Sequence, residues 1–301
     1  MGQVNALPDR GTIAAYAVLV VIAGTNFVAV RLSNAELAPF WGATLRFAIA
    51  GALFSLVMAL RHAAVPRGRA LVGVLVYGVL GFGASYALLY WALLTVSAGL
   101  ASVIIALVPL LTFLLATAHG LERFRVRALI GGIVAAAGIA IVFAERLRGD
   151  APALGLLACL AGAVCIAESA VAAKMFPRVD PSATNAVGML AGLAVLAPLV
   201  VIAGETPTLP SRVETWVAVS YLVTIGSIGL FALFLYVLLR WTATATSYIL
   251  VLAPLVTIAL SSIVAAEHVT VQFAIGSATV GLGVYIGALS QSRSRGKTVA
   301  G

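Results

Sequence analysis

Long apolar stretches without a charged side chain alternate with short polar breaks along the whole chain. They cover residues 11–30, 70–121, 128–144, 151–167, 182–204, 215–239, 241–266 and 269–292. Each is near or above the ~20 residues that carry a helix across a bilayer, and none shows the alternating runs of about 10 residues that a barrel strand needs. The stretch 70–121 must hold two spans, parted at Thr95-Val96-Ser97. One more fits between Pro39 and Leu60 around Arg46, and the sixth continues past Glu168. The pattern therefore predicts an all-α integral membrane protein of ten transmembrane helices, at 12–31, 39–60, 70–93, 98–119, 126–144, 152–174, 183–203, 214–239, 244–265 and 270–290.

Part of this pattern occurs twice. Moved by 145 positions, Tyr86–Glu122 falls on Phe231–Glu267, with Pro109 on Pro254, Ser102 on Ser247, Leu107 on Leu252 and Glu122 on Glu267. The register continues through Gly131/Gly276 and Gly138/Gly283. A shared apolar composition does not by itself lay proline on proline and glutamate on glutamate. The chain divides into a first five-helix repeat, 1–149, a second, 150–292, and a basic tail, 293–301.

Composition excludes the soluble alternatives: 62% apolar and 9% charged residues leave too little polar surface for a water-soluble globule of 301 residues. A net charge of +8 would suit nucleic acid. Its basic residues lie in short loops and the tail, however, where topology and lipid headgroups account for them, so the bilayer and not nucleic acid is the expected partner. With both termini in the cytoplasm, thirteen Lys and Arg fall on that side against four opposite (Arg31, Arg146, Arg148, Arg212), Arg46 lying within a span. The positive-inside rule favours that orientation. Matching loops carry opposite charge bias: Arg123, Arg125 and Arg127 follow span four, while no Lys or Arg stands between Glu267 and Gln272 after span nine. The second repeat thus enters the membrane inverted, an architecture of secondary transporters with the substrate site near mid-membrane. The amino terminus reads as an uncleaved first span, its apolar run being too long for a signal-peptide core. Cys159 and Cys165 lie on one helix about 9 Å apart in rise, too far for a disulfide.

Several residues carry candidate chemistry. Pro109 and Pro254 each interrupt a span and free a carbonyl, which reads as a symmetric hinge or cavity-forming bend, or as a static kink filled by packing. Tyr86 and Tyr90 share a face of span three with Trp91 beside them, suited to stacking on a substrate or to packing between helices. Ser102, Ser247 and the adjacent Tyr248 offer hydroxyls to a substrate, or bond back within their own helices. Asn26 needs partners that lipid cannot provide, whether substrate or a neighbouring helix. Arg46 and Glu168 are the deepest charges and must face the bundle interior or water. Arg46 fits a substrate carboxylate or an interhelix bond; Glu168 fits a proton-coupling site or a headgroup contact. His119, Glu122 and Glu267 read as interfacial anchors and caps. No Walker lysine, dinucleotide fingerprint or hydrolase motif is present, so neither cofactor nor metal is expected and an intramembrane enzyme is a remote alternative.

Asn26-Phe27 with Arg31, Arg46-Phe47, the Tyr-Trp-Ala-Leu of 90–93, Ser102, Pro109 and Glu122 resemble the EamA branch of the drug/metabolite transporter superfamily, over nearly the whole chain. Within that branch the sequence looks most like the aromatic amino-acid exporter type. The resemblance implies two inverted five-helix repeats, both termini cytoplasmic, in a bacterial inner membrane, exporting amino acids or similar metabolites by alternating access. On the reading of the residues themselves, substrate contacts fall on Asn26, Tyr86, Tyr90, Trp91, Ser102, Ser247 and Tyr248, with Arg46 and Glu168 as the candidate charge or proton sites. A passive facilitator or channel is the alternative. Oligomeric state is not legible.

Overall fold

A computed structural model describes residues 9–92, 95–96, 101, 104–142, 152–256 and 271–289. Among these residues there is no strand, and helices occupy all ten expected positions: α1 (Arg10–Ser33), α2 (Pro39–Leu60), α3 (Arg69–Ala92), α4 (Val108–Ala118), α5 (Val126–Val142), α6 (Ala153–Met175), α7 (Pro181–Ile202), α8 (Val213–Arg240), α9 (Ala243–Val256) and α10 (Val271–Val284). Five of them, α2, α3, α6, α7 and α8, are long and apolar enough to cross a membrane; the other described helices are apolar but reach that test only in part. Ser102, Glu267 and the basic tail lie outside the described residues.

Local sequence sets the helix ends. Asp9 accepts the Thr12 N–H at the start of α1, Asp180 accepts the Ser182 N–H before α7, and the Thr242 hydroxyl accepts the Ala245 N–H before α9. Such side-chain caps satisfy donors that the helix itself cannot. Gly120 and Gly204, at φ +71° and +68°, close α4 and α7 in the left-handed conformation that only glycine adopts freely.

Residues 104 and 105 are helical, 106 and 107 form a turn and α4 begins at Val108, so span four is broken just before Pro109, which stands in the first turn of α4. A missing N–H costs nothing there, because that donor has no intrahelical partner anyway. Its image Pro254 lies within α9, which is interrupted earlier, by a turn at Tyr248. Pro198 is a further proline, inside α7.

The repeats interleave. α2 packs on its image α7, and α5 on its image α10; α1 packs against α8, and its image α6 against α3. The α5–α10 contact is backbone-close: a Cβ added to Gly131 would stand 2.4 Å from the Gly287 Cα, and one added to Gly138 2.6 Å from the Val280 N. Small residues give such contacts in membranes, where helix association depends on close packing. Both large cores draw on both halves, one joining Leu19 and Ile139 to Tyr248 and Val280, the other joining Phe47 and Phe82 to Met189 and Leu235. Val18, Val21, Leu56, Ile133, Leu157 and Leu282 face outward. Arg46, Asn185 and Ser227 are buried, which is the distribution a lipid solvent selects.

Candidate functional site

Both α3 and α8 contain a π-helical turn, Val79–Ala84 and Thr224–Gly229. The two segments are 145 positions apart and are therefore repeat images. A π-turn widens the helix and loosens its hydrogen-bond ladder, so carbonyls there can accept from other helices. In α8 that happens at Gly226, whose carbonyl accepts from Asn26 Nδ2 on α1 (3.1 Å) and from Arg46 Nη2 on α2 (2.6 Å). Arg46 Nε donates to Ser227 Oγ at 2.7 Å. A Cβ at 226 would come 2.1 Å from Asn26 Oδ1, so any larger residue there must displace that amide.

Arg46 is 4% exposed and Ser227 is fully buried. A central arginine costs about 2.5–3.5 kcal/mol to insert, and two hydrogen bonds to a charged donor return roughly 1.5–3 kcal/mol each, so the node can hold its charge. Among the described residues no carboxylate stands within ion-pair distance of Arg46. Asn26 Oδ1 is buried without a partner.

An aromatic wall adjoins the node. The Arg46 guanidinium lies 5.3 Å from the centroid of the Phe47 ring. Phe47 meets Tyr86 edge-on at 4.8 Å and Phe231 at 6.3 Å, and Tyr86 neighbours Tyr90 at 6.0 Å. First-half Asn26, Arg46, Tyr86 and Tyr90 thus meet second-half Gly226, Ser227 and Phe231. The image turn is bare by comparison. Opposite Gly81 stands Ser169, and the images of Asn26 and Arg46 are Val171 and Ala191.

The remaining candidates lie elsewhere. Trp91 is 41% exposed on the outer surface. Ser247 donates to the Thr244 carbonyl in its own helix at 2.7 Å. Tyr248 is fully buried in the core of α1, α5 and α10, with its hydroxyl unpartnered. Pro109 and Pro254 are buried, and the residues flanking Pro254 pack against Gly24 of α1. Glu168 Oε1 pairs with His119 Nε2 across the two halves at 3.0 Å, while Oε2 is buried without a partner.

Carboxylates on helix starts clamp the halves at both faces; of these the sequence offers only Glu122 as a cap, and the helix it caps is α9 of the other half. At the face of loops 34–38 and 203–212, Glu205 accepts the Phe40 and Trp41 N–H groups (3.1 and 2.6 Å) at the start of α2. In return Glu36 accepts the Ser211 and Arg212 N–H groups (2.6 and 3.3 Å) before α8. The Ser211 hydroxyl, followed by that of Thr215 and the Ser211 N–H, holds Glu36 well below the usual carboxylate range, at about 2. At the other face Glu122 accepts the Thr244 N–H (3.1 Å) and hydroxyl (2.9 Å) at the start of α9 and pairs with Arg125; Arg61 faces Asp180 at 3.9 Å. Charge-assisted bonds of this kind, aimed at helix N-termini, are among the stronger polar contacts. The sequence signal was slight: Glu36 and Glu205 are acids in otherwise ordinary loops, and Gly226 is visible only as the image of Gly81.

Known proteins resemble this chain in sequence and in fold. The model of the EamA-like transporter family matches residues 11–144 and again 153–288. An "Uncharacterized transporter" of Archaeoglobus fulgidus is 27% identical over 279 residues, 90% of this chain and 96% of that protein. The "Uncharacterized inner membrane transporter YedA" of Escherichia coli is 27% identical over 232 residues, 76% of this chain and 75% of that protein. A solved crystal structure superposes with a TM-score of 0.78 at 23% identity, over 92% of this chain and 96% of the other, a likeness of fold.

Proposed function

The chain belongs to the EamA-like transporter family, and from that premise we propose that it is a secondary transporter exporting amino acids, aromatic and other apolar ones foremost, by alternating access. In this reading ten transmembrane helices form two inverted repeats, 1–149 and 150–292, with both termini in the cytoplasm. The name of the Escherichia coli relative supports a place in a bacterial inner membrane. The observation that carries the proposal is the polar node with its aromatic wall, built jointly by the two halves beside the mid-span π-turn of α8. Binding sites at the interface of inverted repeats, where the backbone is irregular, serve transporters because rocking one half against the other changes the side from which the site is reached.

Substrate contacts fall to Asn26, Arg46, Tyr86 and Tyr90. The clamps at Glu36 and Glu205 on one face and at Glu122 on the other are both closed in this structure, and in the proposed cycle each opens while the other holds. Proteoliposomes loaded with unlabelled amino acid provide the test. Labelled phenylalanine, leucine or a neighbour of theirs is expected to accumulate transiently by counterflow, saturably and only with protein present. Uptake that is linear with concentration and insensitive to trans substrate would point to a passive pore, and no uptake of any amino acid would refute the proposed cargo.

A further inference from the structure

Resting on the transport reading above, we infer that Arg46 and Asn26 read the head group of the cargo. Arg46 takes a carboxylate and Asn26 Oδ1 takes a hydrogen-bond donor on the adjacent α-carbon. The class this selects is the α-amino or α-hydroxy monocarboxylate, and simple amines are excluded.

The charge of Arg46 is met by neutral groups alone among the described residues, namely the Gly226 carbonyl and the Ser227 hydroxyl. Those acceptors satisfy hydrogen bonds but leave a full positive charge, because a guanidinium does not deprotonate in proteins. Six of the seven described carboxylates are committed near the two faces, Glu36 and Glu205 on helix starts at one and Asp9, Glu122, Glu168 and Asp180 in caps, clamps and pairs at the other, while Glu214 is exposed in the first turn of α8. A buried cation in a poorly polarisable interior attracts an anion far more strongly than the same cation in water.

Geometry narrows the anion. Nε and Nη2, the side-on edge of the guanidinium, hold Ser227 and Gly226. The end-on edge, Nη1 with Nη2, matches the two oxygens of a carboxylate. Asn26 Nδ2 is fixed to the same Gly226 carbonyl as Arg46, which sets the amide beside the guanidinium with Oδ1 buried and unpartnered. A buried acceptor without a donor is a debt that an ammonium or hydroxyl can settle and a second anion cannot. The apolar body of such a ligand would lie against Phe47, Tyr86 and Phe231. An amine lacking the carboxylate would present its charge to the guanidinium and be repelled.

The experiment uses the full chain and four probes of one shape: L-phenylalanine, 3-phenyllactate, 3-phenylpropionate and phenethylamine. Each is tested for thermal stabilisation of the purified protein and for competition with labelled phenylalanine in counterflow. Phenyllactate should act within about threefold of phenylalanine, phenylpropionate should be weaker by about tenfold, the scale of leaving one buried polar group unpaired, and phenethylamine should do neither. Asn26→Leu should bring phenylalanine down to the level of phenylpropionate. Arg46→Lys, which keeps the charge should Arg46→Gln fail to fold, should retain the preference for carboxylates with reduced affinity. Phenethylamine acting as well as phenylalanine, or Asn26→Leu leaving the donor preference intact, overturns the inference while the counterflow itself upholds transport. Stabilisation by the carboxylates without any counterflow upholds the reader and refutes the transport reading. Neither stabilisation nor competition by any probe overturns the inference.

Discussion

Replacing Gly226 with alanine should damage the node far more than the same change at its repeat image, Gly81. At 226 the added Cβ would lie 2.1 Å from Asn26 Oδ1 and 3.1 Å from its Cγ, so the amide must leave. Its 3.1 Å bond to the Gly226 carbonyl goes with it. Overpacking costs about 1–3 kcal/mol, and a buried amide left unpaired costs about 1–3 kcal/mol more, together on the order of 3 kcal/mol, or about a hundredfold in an equilibrium. At Gly81 the added atom meets only Ser169, with Cβ and Oγ both 3.2 Å away, a contact that a shift of a few tenths of an ångström relieves. Gly226→Ala should therefore lower the melting temperature in detergent by about 5–10 °C and counterflow by about a hundredfold, against about 2 °C or less for Gly81→Ala. Adding Asn26→Ala removes the clash. The double variant should regain much of the lost stability without regaining transport, a non-additivity expected of touching residues. Equal losses at 226 and 81, or a double variant no more stable than Gly226→Ala alone, would refute this account of why glycine is required.

Other predictions follow from the clamps and the packing. Glu36 is held at about 2 in place of its ordinary 4.5, so its contribution to stability is complete above about 4.5 and lost as the pH falls toward 2. The melting-temperature gap between wild type and Glu36→Gln should be constant above pH 5 and shrink on acidification; a gap that widens would contradict the sign. Glu168→Gln keeps the shape but not the charge of the His119 pair, and should abolish dependence of transport on a pH gradient while leaving counterflow in place; an unchanged gradient dependence removes Glu168 from coupling. Gly131→Leu, against backbone 2.4 Å away, should prevent the α5–α10 contact and yield little folded protein, whereas Gly281→Leu, with nothing within 4 Å, should be neutral; similar yields would count against a packed α5–α10 seam.

Much of the architecture was legible because lipid leaves so few options. Charge-free runs of about 20 residues can only be helices there. The repeat was legible because a 145-residue echo preserved Pro109 and Glu122 in apolar surroundings. The π-turns were not, because their residues do not differ in composition from α-helix. Tyr86 and Tyr90 share a face, as their spacing of four requires, and Trp91, one residue on, is turned about 100° away onto the surface. Arg46 admitted two readings, and its partners lie 180 residues on, beyond anything local spacing reveals. The same distance hid Glu205, whose acceptance of two α2 donors depends on which loop meets which helix end.

The partners of the node also meet late in the life of the molecule. Asn26 and Arg46 are made 200 and 180 residues before the carbonyl they share. At about 5–20 residues per second, the first two helices wait on the order of 10–40 s before α8 emerges from the ribosome. Through that interval an arginine and an amide, each unwelcome in lipid, must be sheltered by the insertion machinery or lodged near the interface. The first repeat is therefore incomplete without the second: biogenesis of this protein is a commitment that α8 alone discharges, and a chain halted after α7 carries its buried charge with no place to put it.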